Sequence, residues 1–156
     1  MQEESGMPVQ LLEELKDNAA LRQLNAGRGT LPLNSLIQEA LILSASYLKN
    51  PRPILVVKNN LYSAQRLYER VSSLLQEGQC ALFGSDESLR VEAIASSPEM
   101  MAGKVETLAS LLNRPDQIVI TSPSGLLRHL PLPEVFRSSC ISLKPGDHAD
   151  MEEIRK

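Results

Sequence analysis

With 156 residues, the chain is long enough for one domain with a sizeable core and too short for two full ones. Its 16 basic and 19 acidic residues leave a net charge of −3, which excludes a broad nucleic-acid-binding surface and a polybasic membrane anchor. No apolar stretch approaches the ~20 residues needed to cross a bilayer, and MQEESGMPVQ lacks a basic segment followed by an apolar core, so a cytoplasmic protein without membrane contact is expected.

Residues 1–7 read as a loose end. From Val9 to Leu24 the apolar positions Val9, Leu11, Leu12, Leu15, Ala19, Leu21 and Leu24 fit one helix, with Pro8 in its first turn and Gly27 beyond its end. Thr30 to Leu33 reads as a short first strand, with Pro32 confining it to an edge or standing among the strand's last residues. Asn34 or Ser35 then caps a helix to about Leu48, where Ser35 and Gln38 have capping-box spacing and Leu36, Ile37, Ala40, Leu41, Leu43, Tyr47 and Leu48 make a wide apolar face.

The next unit is the clearest. Ile54-Leu55-Val56-Val57 is an uninterrupted apolar run of the kind expected of a strand covered on both faces. Asn59 or Asn60 caps the helix that follows, whose Leu61, Ala64, Leu67, Tyr68, Val71, Leu74 and Leu75 keep three- and four-residue spacing, and Gly78 closes it. Cys80 to Phe83 is a short strand. Gly84 to Pro98 is a connection long enough to suggest a function, with a helical turn expected around Val91 to Ala95. Ser97 and Pro98 start a helix whose inner face is Val105, Leu108, Ala109, Leu111 and Leu112. Ile118 to Ile120 is another buried strand. Ser122 and Pro123 cap and open a helix to Leu130, which Pro131 and Pro133 stop. Cys140 to Leu143 reads as a last strand, and Asp150 with Glu153 as a capping box. Strands alternating with helices predict a three-layer α/β/α domain on a mainly parallel sheet. The two cysteines, Cys80 and Cys140, each open an apolar run and are expected as buried thiols rather than a disulfide or metal site.

Nucleotide chemistry on such a fold needs G-x-x-x-x-G-K-[ST] after the first strand, so that backbone N–H groups and a lysine meet the phosphates. Here that turn reads Leu33-Asn34-Ser35-Leu36, with neither glycine nor lysine, and no bound cofactor is expected. Gly27-Arg28-Gly29-Thr30 precedes the strand and lacks the spacing. Asp86-Glu87 resembles the acidic pair of a motor ATPase, but without a phosphate loop those carboxylates read as solvated loop residues or a contact surface. His129 and His148 lack ligand partners at zinc-site spacing, so no metal is expected. Ser122-Pro123-Ser124-Gly125 is not a nucleophile elbow. No catalytic residue is assigned. Tyr47, Tyr68 and Phe83 read as core or helix-face residues, and Tyr62, at a helix start, as exposed.

The stretches NNLYSAQRLYERVSSLL, LFGSDESLRVEAIASSPEM, KVETLASLL and IVITSPSGLLRHLPLPEVF resemble, in order, the N-terminal UvrB-homology module of bacterial transcription-repair coupling factors. The resemblance covers about residue 30 to 156. It implies a degenerate P-loop helicase-like fold, similar to domain 1a of UvrB, that does not hydrolyse ATP. It divides the chain into an N-terminal helical segment at 1–29, a UvrB-like subdomain at 30–140, and, at 141–156, the start of the subdomain that in the family binds UvrA. Where family members often keep a glycine in the remnant loop, Leu33 to Leu36 keeps none. UvrB grips DNA with an aromatic-rich hairpin, whereas Gly84 to Pro98 has no aromatic residue.

The implied role is a non-catalytic scaffold in DNA repair, specifically in the transcription-coupled branch of nucleotide excision repair. UvrA would be recruited through the adjoining subdomain, RNA polymerase and DNA met through further domains of the full-length factor, and the scaffold would help hold that factor inactive. Candidate surface residues are Asn60, Tyr62, Asp86, Glu87 and Arg128, each at an expected loop or helix end. The alternative is an NTP-dependent helicase or nuclease fragment using Asp86 and Glu87.

Overall fold

A computed structural model describes residues 18–27, 29–84, 98–127 and 129–140, together with Leu12, Glu14 and Leu15. The helices are α1 (Ala19–Asn25), α2 (Leu36–Lys49), α3 (Leu61–Ser72), α4 (Pro98–Asn113), α5 (Pro123–Leu126) and α6 (Pro133–Ser139), and the strands β1 (Ile54–Val57), β2 (Cys80–Phe83) and β3 (Ile118–Thr121).

All three strands are parallel, in the order β1-β3-β2, with Ile54 and Cys80 both in register with Ile118. The chain steps from β1 past one place to β2 and then turns back to insert β3. Right-handed crossovers in opposite directions put their helices on opposite faces. Packing follows this rule. Ile54, Val56, Ile118, Ile120, Cys80 and Leu82 meet α2 and α3 through Ala40, Tyr47, Ala64, Leu67 and Val71. On the other face Leu108 and Leu111 of α4 and Leu126 of α5 lie over Phe83, Val119 and Thr121. The molecule is the three-layer α/β/α domain that the alternating pattern predicts. Burial of each large core side chain such as Leu67 or Ile118 contributes about 1.5–3 kcal/mol. Beneath α2, Leu12, Leu21 and Ala45 form a second cluster, which docks α1.

Several expectations are corrected. The helix expected from Val9 to Leu24 is interrupted at Asn18, whose carbonyl accepts the Arg22 N–H at 3.2 Å and starts α1 afresh. Residues 30–33 form no strand, since Pro32 removes a ladder donor and the segment runs exposed or half-exposed into the cap of α2. Among the described residues, β1 is covered on one face only. It is an edge strand, and Leu55 and Val57 are 58% and 46% exposed. Ile37 and Val105 also face outward, and α4 instead turns Thr107 onto β2. α5 starts at Pro123 as expected but ends at Leu126, and Ser122 at its N-cap makes no side-chain cap bond; its Oγ pairs with Ser124 Oγ at 2.8 Å. Pro133 does not merely stop a helix but opens α6, with Glu134 in its first turn. Cys140 is exposed, while Cys80 is half-buried, and both are free thiols.

Other elements form as read. Gly27 and Gly78 take φ of +80° and +77° at the turns after α1 and before β2. Tyr47, Leu67 and Phe83 are buried and Tyr62 is 68% exposed. The expectations for Gly84 to Pro98 beyond Gly84 itself, for Ile141 to Leu143 and for Asp150 with Glu153 lie outside the described residues.

Candidate functional site

In a parallel α/β sheet the C-terminal strand ends and the helix N-termini share one edge of the domain, and ligands of such folds gather there. At that edge, where β1 ends, a cleft of about 630 Å³ opens between the starts of α2 and α3. One wall is Leu33, Asn34, Ser35 and Leu36, the loop that lacks the glycines and lysine of a phosphate-binding motif. The other is Asn59, Tyr62, Ser63 and Arg66, and Lys58 and Glu39 lie between them.

Each wall is fixed by a local cap. Ser35 Oγ accepts the Gln38 N–H at 3.2 Å, while Gln38 Oε1 reaches back to accept the Asn34 N–H at 2.9 Å. Asn60 Oδ1 accepts the Ser63 N–H at 2.8 Å. The capping side chains thus occupy amides that an anion would otherwise use. Lys58, held by its N–H to Thr121 O at 2.8 Å, sends Nζ across to Glu39 Oε1 and Oε2 at 2.8 and 2.7 Å. The side chains of this ion pair are 23% and 27% exposed. At the rim the Arg66 guanidinium lies 5.9 Å from the centroid of the Tyr62 ring, one helical turn away.

Of the candidate residues, Tyr62 lines this cleft and is 68% exposed, while Asn60 caps α3 without lining it. Asp86, Glu87 and Arg128 lie outside the described residues. Sequence reading missed Glu39, Lys58 and Arg66. A lysine directly after an apolar strand and an arginine four places after a helical tyrosine are the signals that point to the latter two. The arrangement offers an aromatic ring, a guanidinium and a neutralised ion pair, which suits recognition of a polypeptide surface.

Among curated proteins, the transcription-repair-coupling factor of Bacillus subtilis is 28% identical to this chain over 103 residues, 66% of the chain and 9% of that protein. The same-named protein of Staphylococcus haemolyticus is 26% identical over 74% of the chain and 10% of its own length. The chain is similar to a part of the transcription-repair coupling factors. The Staphylococcus aureus factor agrees, at 20% identity over 72% of the chain and 10% of that protein. The chain thus spans about a tenth of the length of the coupling factors it matches. No protein-family model matches it, and no solved structure matches at a significant level. No helix among the described residues is long and apolar enough to cross a membrane.

Proposed function

We propose that the chain serves a transcription-repair coupling factor as a non-catalytic scaffold, with residues 30–140 as its α/β subdomain. The cleft between α2 and α3 faces protein rather than nucleotide. The observation that carries this reading is the Lys58–Glu39 pair, which lies between two side-chain-capped helix starts where a nucleotide-binding relative would present free amides and an unpaired lysine. In the full-length factor the parts beyond this segment would release stalled RNA polymerase and engage DNA, and the adjoining subdomain would recruit UvrA.

Two measurements test the reading. ATP or ADP with magnesium should leave the melting temperature unchanged, because a nucleotide at one hundred times its Kd would add about 2.7 kcal/mol of stability. A clear rise would favour the helicase or nuclease reading instead. Purified UvrA should bind a longer chain that includes the next subdomain and not residues 1–140 alone. Binding to the short form would place the recruiting surface on the α/β body, and Tyr62 would be the first residue to replace.

A further inference from the structure

The outer face of α3 carries positive charge that the rest of the described chain leaves unanswered. Leading away from the cleft, Tyr62, Arg66 and Arg70 follow one another at four-residue spacing and form one exposed stripe, with a rise of about 6 Å per step. The Arg66 guanidinium lies 5.9 Å from the centroid of the Tyr62 ring. Among the described residues, neither Arg66 nor Arg70 forms an ion pair. Glu69 stands beside the stripe, next to Arg70 and one turn from Arg66, yet its Oε1 accepts the Gln65 amide at 3.4 Å. Like charges one helical turn apart repel, so the free chain bears a small cost at Arg66 and Arg70 that an anionic partner relieves.

At its inner end the stripe opens on the cleft. Leu33, Val57 and Tyr62 are exposed there and give that end an apolar lining. Glu39 is the one carboxylate among the described lining residues, and Lys58 already holds both of its oxygens. The surface thus has two parts, an apolar notch and a pair of guanidiniums leading away from it. A guanidinium meets a carboxylate and a phosphate with the same bidentate geometry, and two features favour the carboxylate. Glu69 flanks the stripe and repels a backbone charged at every unit, and the chain's net charge of −3 opposes the approach of a polyanion.

We infer that this surface docks an acidic segment of a partner protein, with one apolar side chain seated in the cleft against Tyr62 and two carboxylates paired with Arg66 and Arg70. The inference rests on the reading of the cleft as a protein site and adds the chemistry of the partner. Carboxylates two residues apart on an extended segment, or four apart on a helix, match the ~6 Å step of the stripe. Ion pairs at exposed positions are weak and screened by salt, so the contact is a transient one in which the charges choose the partner and the apolar side chain holds it.

The test uses the full chain, labelled with 15N, and three capped peptides: Ser-Leu-Ser-Glu-Ser-Glu-Ser, and the same sequence with glutamine or with lysine at both glutamates. The acidic peptide should shift the amides of Val57, Tyr62, Arg66 and Arg70, and the glutamine form should bind about five-fold more weakly or less. Salt at about 0.5 M should weaken the acidic peptide alone. Arg66→Gln and Arg70→Gln should each cost about two- to five-fold in affinity and keep the parent's melting temperature. Arg66→Glu combined with Arg70→Glu should invert the preference, so that the lysine peptide binds and the acidic one does not. Equal affinity for the three peptides, shifts on another face, or no shifts would overturn the inference. Tighter binding of single-stranded DNA at the same amides would also overturn it, as would shifts at Asp147, Asp150, Glu152 and Glu153 when the arginines are replaced without peptide, since the occupant would then be this chain. A rise in melting temperature with nucleotide defeats the reading of the cleft as a protein site, whereas silence towards the acidic peptide in a chain indifferent to nucleotide defeats the acidic partner alone.

Discussion

Gly125 stands in the first turn of α5, buried against the ends of β2 and β3. A Cβ there would overlap Thr121 Oγ1 and lie 3.3 Å from the carbonyl oxygen of Phe83. The threonine hydroxyl cannot step aside freely, because it donates to that same carbonyl at 2.7 Å. Gly125→Ala therefore combines overpacking, ~1–3 kcal/mol, with loss of a buried hydrogen bond, ~1 kcal/mol, against at most ~1 kcal/mol from alanine's better helix propensity. The expected net loss is about 2 kcal/mol, or roughly 4–8 °C in melting temperature for a chain of this size. Thermal unfolding followed by circular dichroism reads it. Thr121→Ala removes the obstructing oxygen, so in that background Gly125→Ala should cost about 1 kcal/mol less, a coupling that a double-mutant cycle isolates. A Gly125→Ala chain as stable as the parent, or additive losses in the cycle, would refute the account of close approach.

Two further outcomes follow from the cleft and the thiols. Glu39→Gln strands a half-buried ammonium and Lys58→Met a half-buried carboxylate, so each should cost about 1–2 kcal/mol in urea unfolding, between the values for exposed and buried pairs. The double variant should cost less than the sum, and additivity would show that the pair is not coupled. Burial pushes the Cys80 thiol from 9.0 up to about 12, whereas Cys140 is exposed, so iodoacetamide at mildly alkaline pH should label Cys140 and spare Cys80. Between pH 9 and about 12 the unfolded chain loses this proton while the folded chain keeps it, so stability should fall with rising pH across that window and fall less steeply in Cys80→Ala, where burial of the Tyr47 hydroxyl still contributes in the same direction.

The parallel α/β architecture was legible because its signals are local. Ser35 and Asn60 stand at cap positions before periodic apolar residues, and both caps form. What failed needed knowledge of neighbours. The run Ile54 to Val57 reads the same whether a strand is central or at an edge, and only the order β1-β3-β2 shows that Leu55 and Val57 lack a cover. Val105 and Thr107 both fit an inner helix face by spacing. Thr107 wins because its hydroxyl reaches the Leu82 carbonyl on the edge of β2, a contact across 25 positions that periodicity does not encode. α6 was missed although Pro133 and Glu134 are ordinary helix-opening residues, because proline was read there only as a stop.

The cleft was half legible for a related reason. Asn60 and Tyr62 belong to one helix start, but Glu39 and Lys58, 19 positions apart, meet only after α2 packs beside β1. Their meeting decides the chemistry of the site. Glu39 sits in the first turn of α2, where the helix dipole already favours a carboxylate, and Lys58 holds both of its oxygens. A phosphate entering the cleft would have to separate that bidentate pair and compete with Ser35 and Asn60 for the amides they cap. The exchange leaves Glu39 beside a second anion, a like-charge arrangement that works against a phosphate there. On the proposed reading the fold keeps the edge at which its class binds nucleotides while the side chains there oppose it, and the exposed Tyr62 and Arg66 are the groups that would meet a protein.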